Sequence, residues 1–469
     1  MSRRAFLLAG LGAAAAPVLF RRPASASVAE RRIALIAAPD RARLISDSRP
    51  ETAVWCFNGR VPGPAIRCRQ GERLTVTVEN RLAEETTVHW HGIRVPNAMD
   101  GVPHLTQKPI APGETFTYAF ETPDAGTFWY HPHQRSFEQV GRGLYGALIV
   151  EERAPLSVDR DVTWVLDDWR LLKSAQISND FGDFHDMSHA GRIGNTITVN
   201  GRAGATVPVR AGERIRLRLV NAANARIFSL DFAGHRPHVV ALDGQPVEPH
   251  VPDGNKILLG PAMRVDLIVD MTGRPGRRYS IQDRFYRRLE YPLLDLLYAD
   301  EPLRASPPET PIRLPDNPLA EPDLKNAARH RITFGGGMMG GMASAMMAGR
   351  RVDMRAMMHN GKAWAVNGIA ADGHVMEPLL TLTRGRSYVL DLDNDTAWPH
   401  PIHLHGHSFR VISRNGRPTR HREWLDTILM MPRERAEIAF VADNPGDWMF
   451  HCHILEHQAG GMMAVLRVT

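Results

Sequence analysis

Three related stretches recur along the chain, and this internal repeat limits the folds that the chain can adopt. They begin at Phe57, Val199 and Val366, and each runs from Asn-Gly through a variable turn to a Gly-led strand that ends in Asn. The strands alternate apolar and polar residues, as in RLTVTVE, which is typical of strands with one buried face. The period of roughly 150 residues predicts three similar β domains in series.

The later halves of the repeats also match, and they indicate where the chemistry lies. Copies one and three end in HPH and HCH, whereas copy two ends in IQD. We predict domains over residues 30–152, 160–302 and 325–469, with a proline-rich extended linker over 303–324. Because the middle copy lacks these histidines, we expect the chemistry to lie between the first and third domains.

Charge and hydropathy exclude two classes of function. The net charge is +6, but the arginines are scattered and form no basic run with interleaved aromatic residues, so we expect no nucleic-acid partner. No apolar run after residue 30 reaches the length of about 18 residues that crosses a bilayer. We therefore expect a soluble mature protein that is not embedded in a membrane, and no feature fixes its oligomeric state.

The N-terminus predicts export. Residues 1–26 contain the pair Arg3-Arg4, a short apolar segment and the small-residue stretch ASA at 24–26, a pattern similar to a twin-arginine signal peptide. We expect the Tat machinery to carry the folded protein to the periplasm, and a membrane anchor or a Sec signal is the alternative.

The chain has only three cysteines, Cys56, Cys68 and Cys452. Export permits a disulfide between Cys56 and Cys68, which flank one turn, and the sequence leaves that pairing open. Cys452 stays free in either case.

Histidine pairs are the strongest chemical signal. Among 21 histidines, chance gives about one H-x-H pair, yet the chain has five, at 89/91, 131/133, 403/405, 405/407 and 451/453. Residues i and i+2 of a strand point to the same face, so each pair offers two imidazoles side by side. A lone pair is more often a surface feature, but four pairs with a nearby cysteine predict a metal site.

The segment HCHILEH places Cys452 between two histidines. On a strand, His451 and His453 project to one face and Cys452 to the other, so one tripeptide contacts two metal sites. A thiolate, two imidazoles and a weak axial thioether make up a blue-copper site. The candidate ligands are Cys452, His457, Met462 and His400.

Imidazoles on the opposite face are too many for one ion and sufficient for about three, so a multi-copper cluster with room for a small ligand is predicted. They are His89, His91, His131, His133, His403, His405, His451 and His453. His407 is expected to lie outside the ligand set because Gly406 lets the strand turn away. The other histidines, including His104, His359, His374 and His421, are expected to be structural or exposed.

Four segments together resemble the ligand motifs of multicopper oxidases: HWHG at 89, HPH at 131, HPIHLHGH at 400 and HCHILEHQAGGMM at 451. The resemblance extends from about residue 30 to 469 and implies an all-β fold of three consecutive cupredoxin-like Greek-key β-sandwich domains. It also implies four copper ions. The type 1 ion takes His400, Cys452, His457 and Met462; the type 2 ion takes His89 and His403; the type 3 pair takes His91, His131 and His453 on one ion and His133, His405 and His451 on the other.

The resemblance further implies that four one-electron oxidations at the type 1 copper, with Cys452 in the electron path, drive the reduction of dioxygen to water. Asp100 is similar to the family's acid near the dioxygen site, and its alternative is a turn aspartate before Gly101. The family's acid after the last type 1 histidine is replaced by Gln458, with Glu456 as a weak substitute.

The segment 335–358 contains eight of the 19 methionines. Thioethers prefer Cu(I), and the glycines are expected to prevent a fixed core. The segment resembles the Met-rich insertions of periplasmic copper-resistance oxidases, which oxidise Cu(I), and its alternative is a packed amphipathic helix. The candidate substrate-copper residues are Met338, Met339, Met342, Met346, Met347, Met354, Met357 and Met358, with Asp426 expected to line the same region.

These observations predict an enzyme, most simply a cuprous oxidase in copper tolerance that uses dioxygen. The first alternative is a laccase-like oxidase of phenols. A second alternative, of another class, is a copper-binding or copper-free export-associated scaffold. A two-domain nitrite reductase is disfavoured, because four H-x-H pairs lie in one chain.

Overall fold

The computed structural model describes residues 29–154, 156–310, 312–374 and 377–469. Within these residues the chain forms 33 β-strands and four short α-helices, which confirms the predicted all-β class. The predicted export signal, including Arg3 and Arg4, lies outside the described residues. Across the described part of the chain, no helix combines the length and the apolar character needed to span a bilayer.

The first unit consists of two four-stranded sheets, ordered β2-β1-β4-β6 and β3-β8-β7-β5. A 3-10 turn (Asn97–Met99) and helix α1 (Ser136–Gln139) lie in its loops. Its strands are β1 (Glu30–Ala42), β2 (Thr52–Phe57), β3 (Ile66–Arg69), β4 (Arg73–Asn80), β5 (His89–His91), β6 (Thr115–Glu121), β7 (Gly126–His131) and β8 (Gly146–Glu151).

The second unit has a six-stranded and a five-stranded sheet, ordered β10-β9-β12-β17-β14-β15 and β11-β19-β18-β13-β16. Helix α2 (Phe184–Ser188) and a 3-10 turn (Asp253–Asn255) accompany them. The strands are β9 (Arg160–Trp169), β10 (Thr196–Val199), β11 (Thr206–Val209), β12 (Arg214–Asn221), β13 (Phe228–Phe232), β14 (His238–Leu242), β15 (Gln245–His250), β16 (Lys256–Leu259), β17 (Arg264–Asp270), β18 (Arg278–Asp283) and β19 (Tyr291–Tyr298).

The third unit has sheets ordered β23-β20-β25-β31-β27-β28, with β29 beside β27, and β24-β33-β32-β26-β30, plus the hairpin β21-β22. Helices α3 (Met354–His359) and α4 (Leu455–Ala459) flank them. The strands are β20 (Ala328–Gly336), β21 (Ser344–Met347), β22 (Arg350–Asp353), β23 (Trp364–Val366), β24 (Leu380–Leu382), β25 (Ser387–Asn394), β26 (His400–Leu404), β27 (Phe409–Arg414), β28 (Arg417–Pro418), β29 (Trp424–Leu425), β30 (Thr427–Met430), β31 (Arg435–Val441), β32 (Gly446–Cys452) and β33 (Met463–Val468).

Strand pairing repeats in the three units as the sequence does. The first strand of each unit runs parallel to a later one, in the pairs β1–β4, β9–β12 and β20–β25. The second sheet also contains one parallel pair in each unit, namely β3–β8, β11–β19 and β24–β33. Large apolar clusters take residues from both sheets of a unit, so each core lies between two facing sheets. The boundaries of the three domains stay predictions.

Two asparagines in each repeat explain its sequence signature. The Asn of each Asn-Gly turn has positive φ, namely Asn58, Asn200 and Asn367, and the following glycine does too, as a tight hairpin turn requires. The Asn that ends each repeat, Asn80, Asn221 or Asn394, is fully buried and donates to two main-chain carbonyls. The recurring asparagines therefore satisfy backbone groups that the strands leave unpaired.

Cys56 and Cys68 do not form a disulfide. Both are buried and free, Cys56 on β2 in one sheet and Cys68 on β3 in the other. Burial raises the pKa of each thiol to about 11, so both stay protonated and pack as small apolar side chains.

The Met-rich segment is ordered, and the expectation that it lacks a fixed core is wrong. It forms the end of β20, the hairpin β21–β22 and the one-turn helix α3, and it is not one amphipathic helix. Met357 is fully buried in a small cluster with Ala345, Ala365 and Ala370. Met338 and Met339 remain 45% and 72% exposed, so the segment combines a small core with solvent-facing sulfurs.

Replacing Asn221 with Ala should destabilise the fold. The change leaves the carbonyls of Arg226 and Leu259 and the amide of Ala223 without their partner in a buried position. We expect the free energy of unfolding to fall by about 2–3 kcal/mol, measured by urea unfolding followed through tryptophan fluorescence. Asn326→Ala, at an exposed position, is the control and should change it by less than about 0.5 kcal/mol. Equal effects of the two substitutions would contradict the role given to Asn221.

Candidate metal centre

Strand register brings the histidine pairs together. In the first unit, His89 on β5 lies directly opposite His131 on β7. In the third unit, His403 on β26 lies opposite His451 on β32. Because directly opposite residues project to the same face of a sheet, each unit presents a four-histidine patch, and the two patches face each other.

The facing patches form one buried cluster of eight imidazoles. His405 Nε2 lies 3.0 Å from His451 Nε2, and His131 Nε2 lies 3.3 Å from His453 Nε2. The rings of His91 and His403 stack with centroids 3.7 Å apart across the interface. Several sets of three ligand atoms in the cluster lie within 4.8 Å of one another, which is close enough to share a metal ion.

One nitrogen of most rings is fixed by the protein, which leaves the other directed into the cluster. Main-chain carbonyls accept from the Nδ1 atoms of His89, His131, His403 and His451 at 2.8–3.0 Å. Five nitrogens of the cluster have no hydrogen-bond partner although they are buried: Nε2 of His89, His133 and His403, and Nδ1 of His91 and His453. Buried unpaired imidazole nitrogens held in this way fit a metal-ligand set.

Burial holds most imidazoles of the cluster neutral. Burial, reinforced by neighbouring histidines, lowers the pKa values of His91, His131, His133, His405, His451 and His453 well below the usual value. A neutral imidazole has the lone pair that a metal requires. The electrostatics of the site therefore favour cation binding over protonation.

A second group of ligands lies on the other side of β32. His400 Nδ1 and His457 Nδ1 lie 3.4 and 3.8 Å from Cys452 Sγ, and 3.1 Å from each other. Burial lowers the pKa of His457 to about 3 and raises that of the Cys452 thiol. Met462 is fully buried, and its main chain bonds to both Cys452 and His457. The donor set fits one soft or borderline metal ion.

The predicted divergence of the HCH side chains is confirmed by their contacts. Cys452 points to His400 and His457, whereas His451 and His453 point to the eight-imidazole cluster. Strand β32 ends at Cys452, so alternation accounts for His451 and Cys452, and the turn into α4 directs His453. His407 turns away after Gly406, as expected, and bonds to the His405 carbonyl.

Asp100 contacts histidines of both units. Its main-chain carbonyl accepts from His89 Nδ1, and its carboxylate accepts from His405 Nδ1 at 2.9 Å. The next residue, Gly101, has φ +82°, and a Cβ there would lie 1.9 Å from the Val88 carbonyl oxygen. Asp100 is therefore a turn residue before Gly101 and also a buried acid beside the cluster. The two roles considered for it are compatible.

Asp426 does not line the Met-rich segment, and that prediction is wrong. Its carboxylate accepts from His91 Nε2 at 3.1 Å, and its carbonyl accepts from His403 Nδ1. Burial opposes its charge, but the ion pair with Arg264 holds the pKa of Asp426 below its usual range. Arg264 lies on β17 of the middle unit and also pairs with Asp243. The middle unit, which contributes no histidine to the cluster, therefore holds Asp426 in place beside it.

Glu456 does not substitute for the missing acid. Its carboxylate accepts from Asn224 Nδ2 and the Arg192 amide of the middle unit. The side-chain amide of Gln458, in contrast, lies 3.3 Å from His133 Nδ1 and 3.2 Å from Ser136 Oγ. A cavity of about 350 Å³ reaches these residues and is also lined by His104, Lys362 and His374.

Sequence comparison identifies the family. Models of the family described as multicopper oxidase match residues 41–155, 160–295 and 349–469, one in each unit. The chain belongs to the multicopper oxidase family. It is therefore an oxidoreductase that binds copper and uses dioxygen with a copper ion or an organic molecule as reductant.

Relatives of this multicopper oxidase bear names from both substrate classes. It is 32% identical to multicopper oxidase MmcO of Mycobacterium tuberculosis, over 98% of this chain and 95% of that protein. It is 30% identical to laccase-1 of Botryotinia fuckeliana (87% and 77%) and 28% identical to copper resistance protein A of Escherichia coli (88% and 88%). A crystal structure of a multi-copper oxidase from Pseudomonas thermotolerans is similar with a TM-score of 0.82 and 36% identity, over 94% of this chain and all of that one.

Residues that the sequence did not indicate cover the oxidase's cysteine site. The ring centroid of Trp364 lies 4.3 Å from that of His457 and 4.9 Å from that of His400. The indole Nε1 donates to the Met187 carbonyl. A Cβ at Gly337 would lie 2.1 Å from that indole, so the start of the Met-rich segment packs directly on it. No motif marked Trp364, because a single buried tryptophan has many ordinary uses in a core.

Substituting Asp426 by Asn should weaken copper retention. The change removes the negative charge that orients His91 and His403 and leaves Asp243 as the remaining carboxylate partner of the buried Arg264. We expect the affinity for copper to fall about 10- to 100-fold, measured by equilibrium against a copper chelator. Asp231→Asn is the matched control, because Asp231 also pairs with an arginine, at 2.8 Å, but at the surface of the middle unit. Unchanged retention in Asp426→Asn would contradict this role.

Proposed function

We propose that this oxidase holds four copper ions, one of type 1, one of type 2 and two of type 3. The type 1 ligands are His400, Cys452, His457 and Met462. The type 2 ligands are His89 and His403, and the type 3 ligands are His91, His131 and His453 for one ion and His133, His405 and His451 for the other. Support comes from the two separate donor groups, from the neutral imidazoles and from the unpaired buried nitrogens.

Copper held by His400, Cys452, His457 and Met462 would supply one-electron transfer, and copper held by the eight-imidazole cluster would supply the reduction of dioxygen to two waters. The chain supplies the connection, because Cys452 is joined to His451 and His453 by adjacent peptide bonds. It also excludes water from the cysteine site, where His400, Cys452 and His457 are fully buried. Asp100 holds the proton on His405 Nδ1 and, like Asp426, lies against histidines of both patches. The cavity that reaches His133 gives dioxygen a route from the surface.

We propose that Cu(I) is the reductant. The observation that supports this proposal is the burial of the His457 imidazole, which is fully buried. Trp364, the end of helix α2 and the start of the Met-rich segment form a cover between this ring and the solvent. A bulky phenol has to displace this cover to touch the ring, whereas an ion bound by exposed thioethers does not. Soft sulfur ligands also prefer Cu(I).

A laccase-like oxidation of phenols is the second candidate. It is supported by the 30% identity to laccase-1 of Botryotinia fuckeliana, and in this case the Met-rich segment acts only as a lid. The proposed location is the periplasm, reached through a twin-arginine signal in residues 1–26, for which the support is the pair Arg3-Arg4 and the small-residue stretch that follows.

Cys452→Ser should remove the type 1 ion alone. A serine hydroxyl does not replace a thiolate as a soft ligand. We expect one copper fewer per chain, loss of the intense red-region absorption that gives a blue protein its colour, and loss of turnover. Metal analysis and visible spectroscopy on the same sample check this. A Cys452→Ser protein that is still blue, or that has the copper content of the parent protein, would contradict the assignment of Cys452 as a type 1 copper ligand.

Leucine at the exposed positions Met338, Met339, Met346 and Met358 should lower the ratio of Cu(I) to phenol turnover about tenfold, since the sulfurs are lost at nearly constant volume. Oxygen consumption with each reductant measures the ratio. Met357→Leu, in the buried core of the segment, is the control and should keep it. An unchanged ratio in the fourfold variant, together with efficient phenol oxidation, favours the laccase-like activity.

A further inference from the structure

A stacked pair of histidines from the middle unit lies at the surface beside the cysteine site. His185 lies in helix α2, and His189 directly follows the helix. Their rings stack with centroids 4.0 Å apart and 12° between their planes. His185 is exposed and His189 half-buried, so neither is a core residue. Both are among the histidines that the sequence analysis expected to be structural or exposed, since neither belongs to an H-x-H pair.

The hydrogen bonds of His189 prepare one nitrogen as a ligand. Its Nδ1 lies 2.9 Å from the His185 carbonyl oxygen, which can only accept, and 3.0 Å from the Ser188 hydroxyl, which can accept as well as donate, so a proton on Nδ1 satisfies both contacts. Nε2 then has the lone pair, and His189 is partly exposed. Among the hydrogen bonds of the described residues, none uses either ring nitrogen of His185. A fixed tautomer of this kind is the usual arrangement in a metal-binding histidine.

The pair is linked directly to the cysteine site. The main-chain carbonyl of His189 accepts a hydrogen bond of 2.8 Å from Nε2 of His457, the imidazole whose other nitrogen faces Cys452. An electron that leaves an ion on the His189 ring therefore has a path of covalent bonds and one short hydrogen bond to His457.

The main chain of Met338 lies next to the same pair. The Met338 amide donates to the Ser188 carbonyl at 2.9 Å, and the Met338 carbonyl accepts from Trp398 Nε1 at 2.9 Å. The Trp398 ring in turn packs edge-on against His189, with centroids 5.5 Å apart. Because Met338 is 45% exposed and has a flexible side chain, its sulfur can approach the two imidazoles.

We propose that His185 and His189 of the middle unit, with the thioether of Met338, bind the substrate cuprous ion and deliver its electron to His457 through the His189 carbonyl. The inference rests on the proposed cuprous oxidase function. Each Cu(I) gives up one electron and leaves as Cu(II). Four such electrons and four protons convert one dioxygen to two waters, which is the reaction proposed above.

Silver offers a test that does not depend on turnover, because Ag(I) has the same soft-ligand preference as Cu(I) and is not oxidised by the enzyme. Crystals of the copper-loaded enzyme soaked in dilute Ag(I) should give an anomalous peak at coordination distance from the His189 and His185 rings. A peak confined to other methionines, or no peak at this pair, overturns the inference.

Paired substitutions provide the second arm. His185→Phe with His189→Phe keeps two stacked rings and the His189 carbonyl but removes the nitrogens, and should raise the KM for Cu(I) about tenfold while the blue absorption persists. The control is His250→Phe with His421→Phe, since these rings stack equally closely, at 3.8 Å, on β15 and the loop before β29. An equal effect of the two double substitutions counts against the site.

The outcomes separate this inference from the proposed function. A parent enzyme that oxidises Cu(I) without silver at the pair retains the function and rejects the site. Silver at the pair in an enzyme that does not oxidise Cu(I) rejects the cuprous oxidase function, and with it the electron path proposed for His189, while the binding site itself stands.

Discussion

The structure depends on the packing of eight imidazoles into the buried interface between the first and third units. Such a group is costly to bury unless its outer nitrogens are satisfied. Main-chain carbonyls, Asp100 and Asp426 provide that satisfaction. The same contacts fix most of the rings so that the other nitrogen of each faces the cluster, and the packing of the interface and its ability to hold copper therefore depend on the same residues.

The middle unit acts without ligand histidines of its own. Arg264 on β17 pairs with Asp426 beneath the imidazole cluster, and the His189 carbonyl holds the outer nitrogen of His457. Asn224 engages the Glu456 carboxylate in α4. The middle repeat therefore does more than preserve the fold, because it fixes the orientation of residues in both donor groups from outside.

The Met-rich segment contains both buried and exposed methionines, and its composition did not distinguish them. Glycine and methionine content indicated a segment without a core, but Met357 packs with three alanines while Met338 and Met339 face solvent. Periodicity did not distinguish these positions, since a hairpin followed by one helical turn has no single repeat. The prediction for Asp426 was wrong for a related reason. Its carboxylate contacts His91, which is more than 300 residues away in the chain, and no local pattern indicates such a contact.

The sequence by itself determined the three repeated units, the histidine pairs and the divergence of Cys452 from His451, because these follow from local alternation and from turn chemistry at Asn-Gly. It also indicated Asp100 and Gln458 as positions beside the cluster. Only the tertiary structure decided that Asp426 and Arg264 brace the imidazoles, that Glu456 faces the middle unit and that Cys56 and Cys68 stay apart. Those outcomes depend on which strands of different units meet, and no local pattern in the chain encodes the contacts between them.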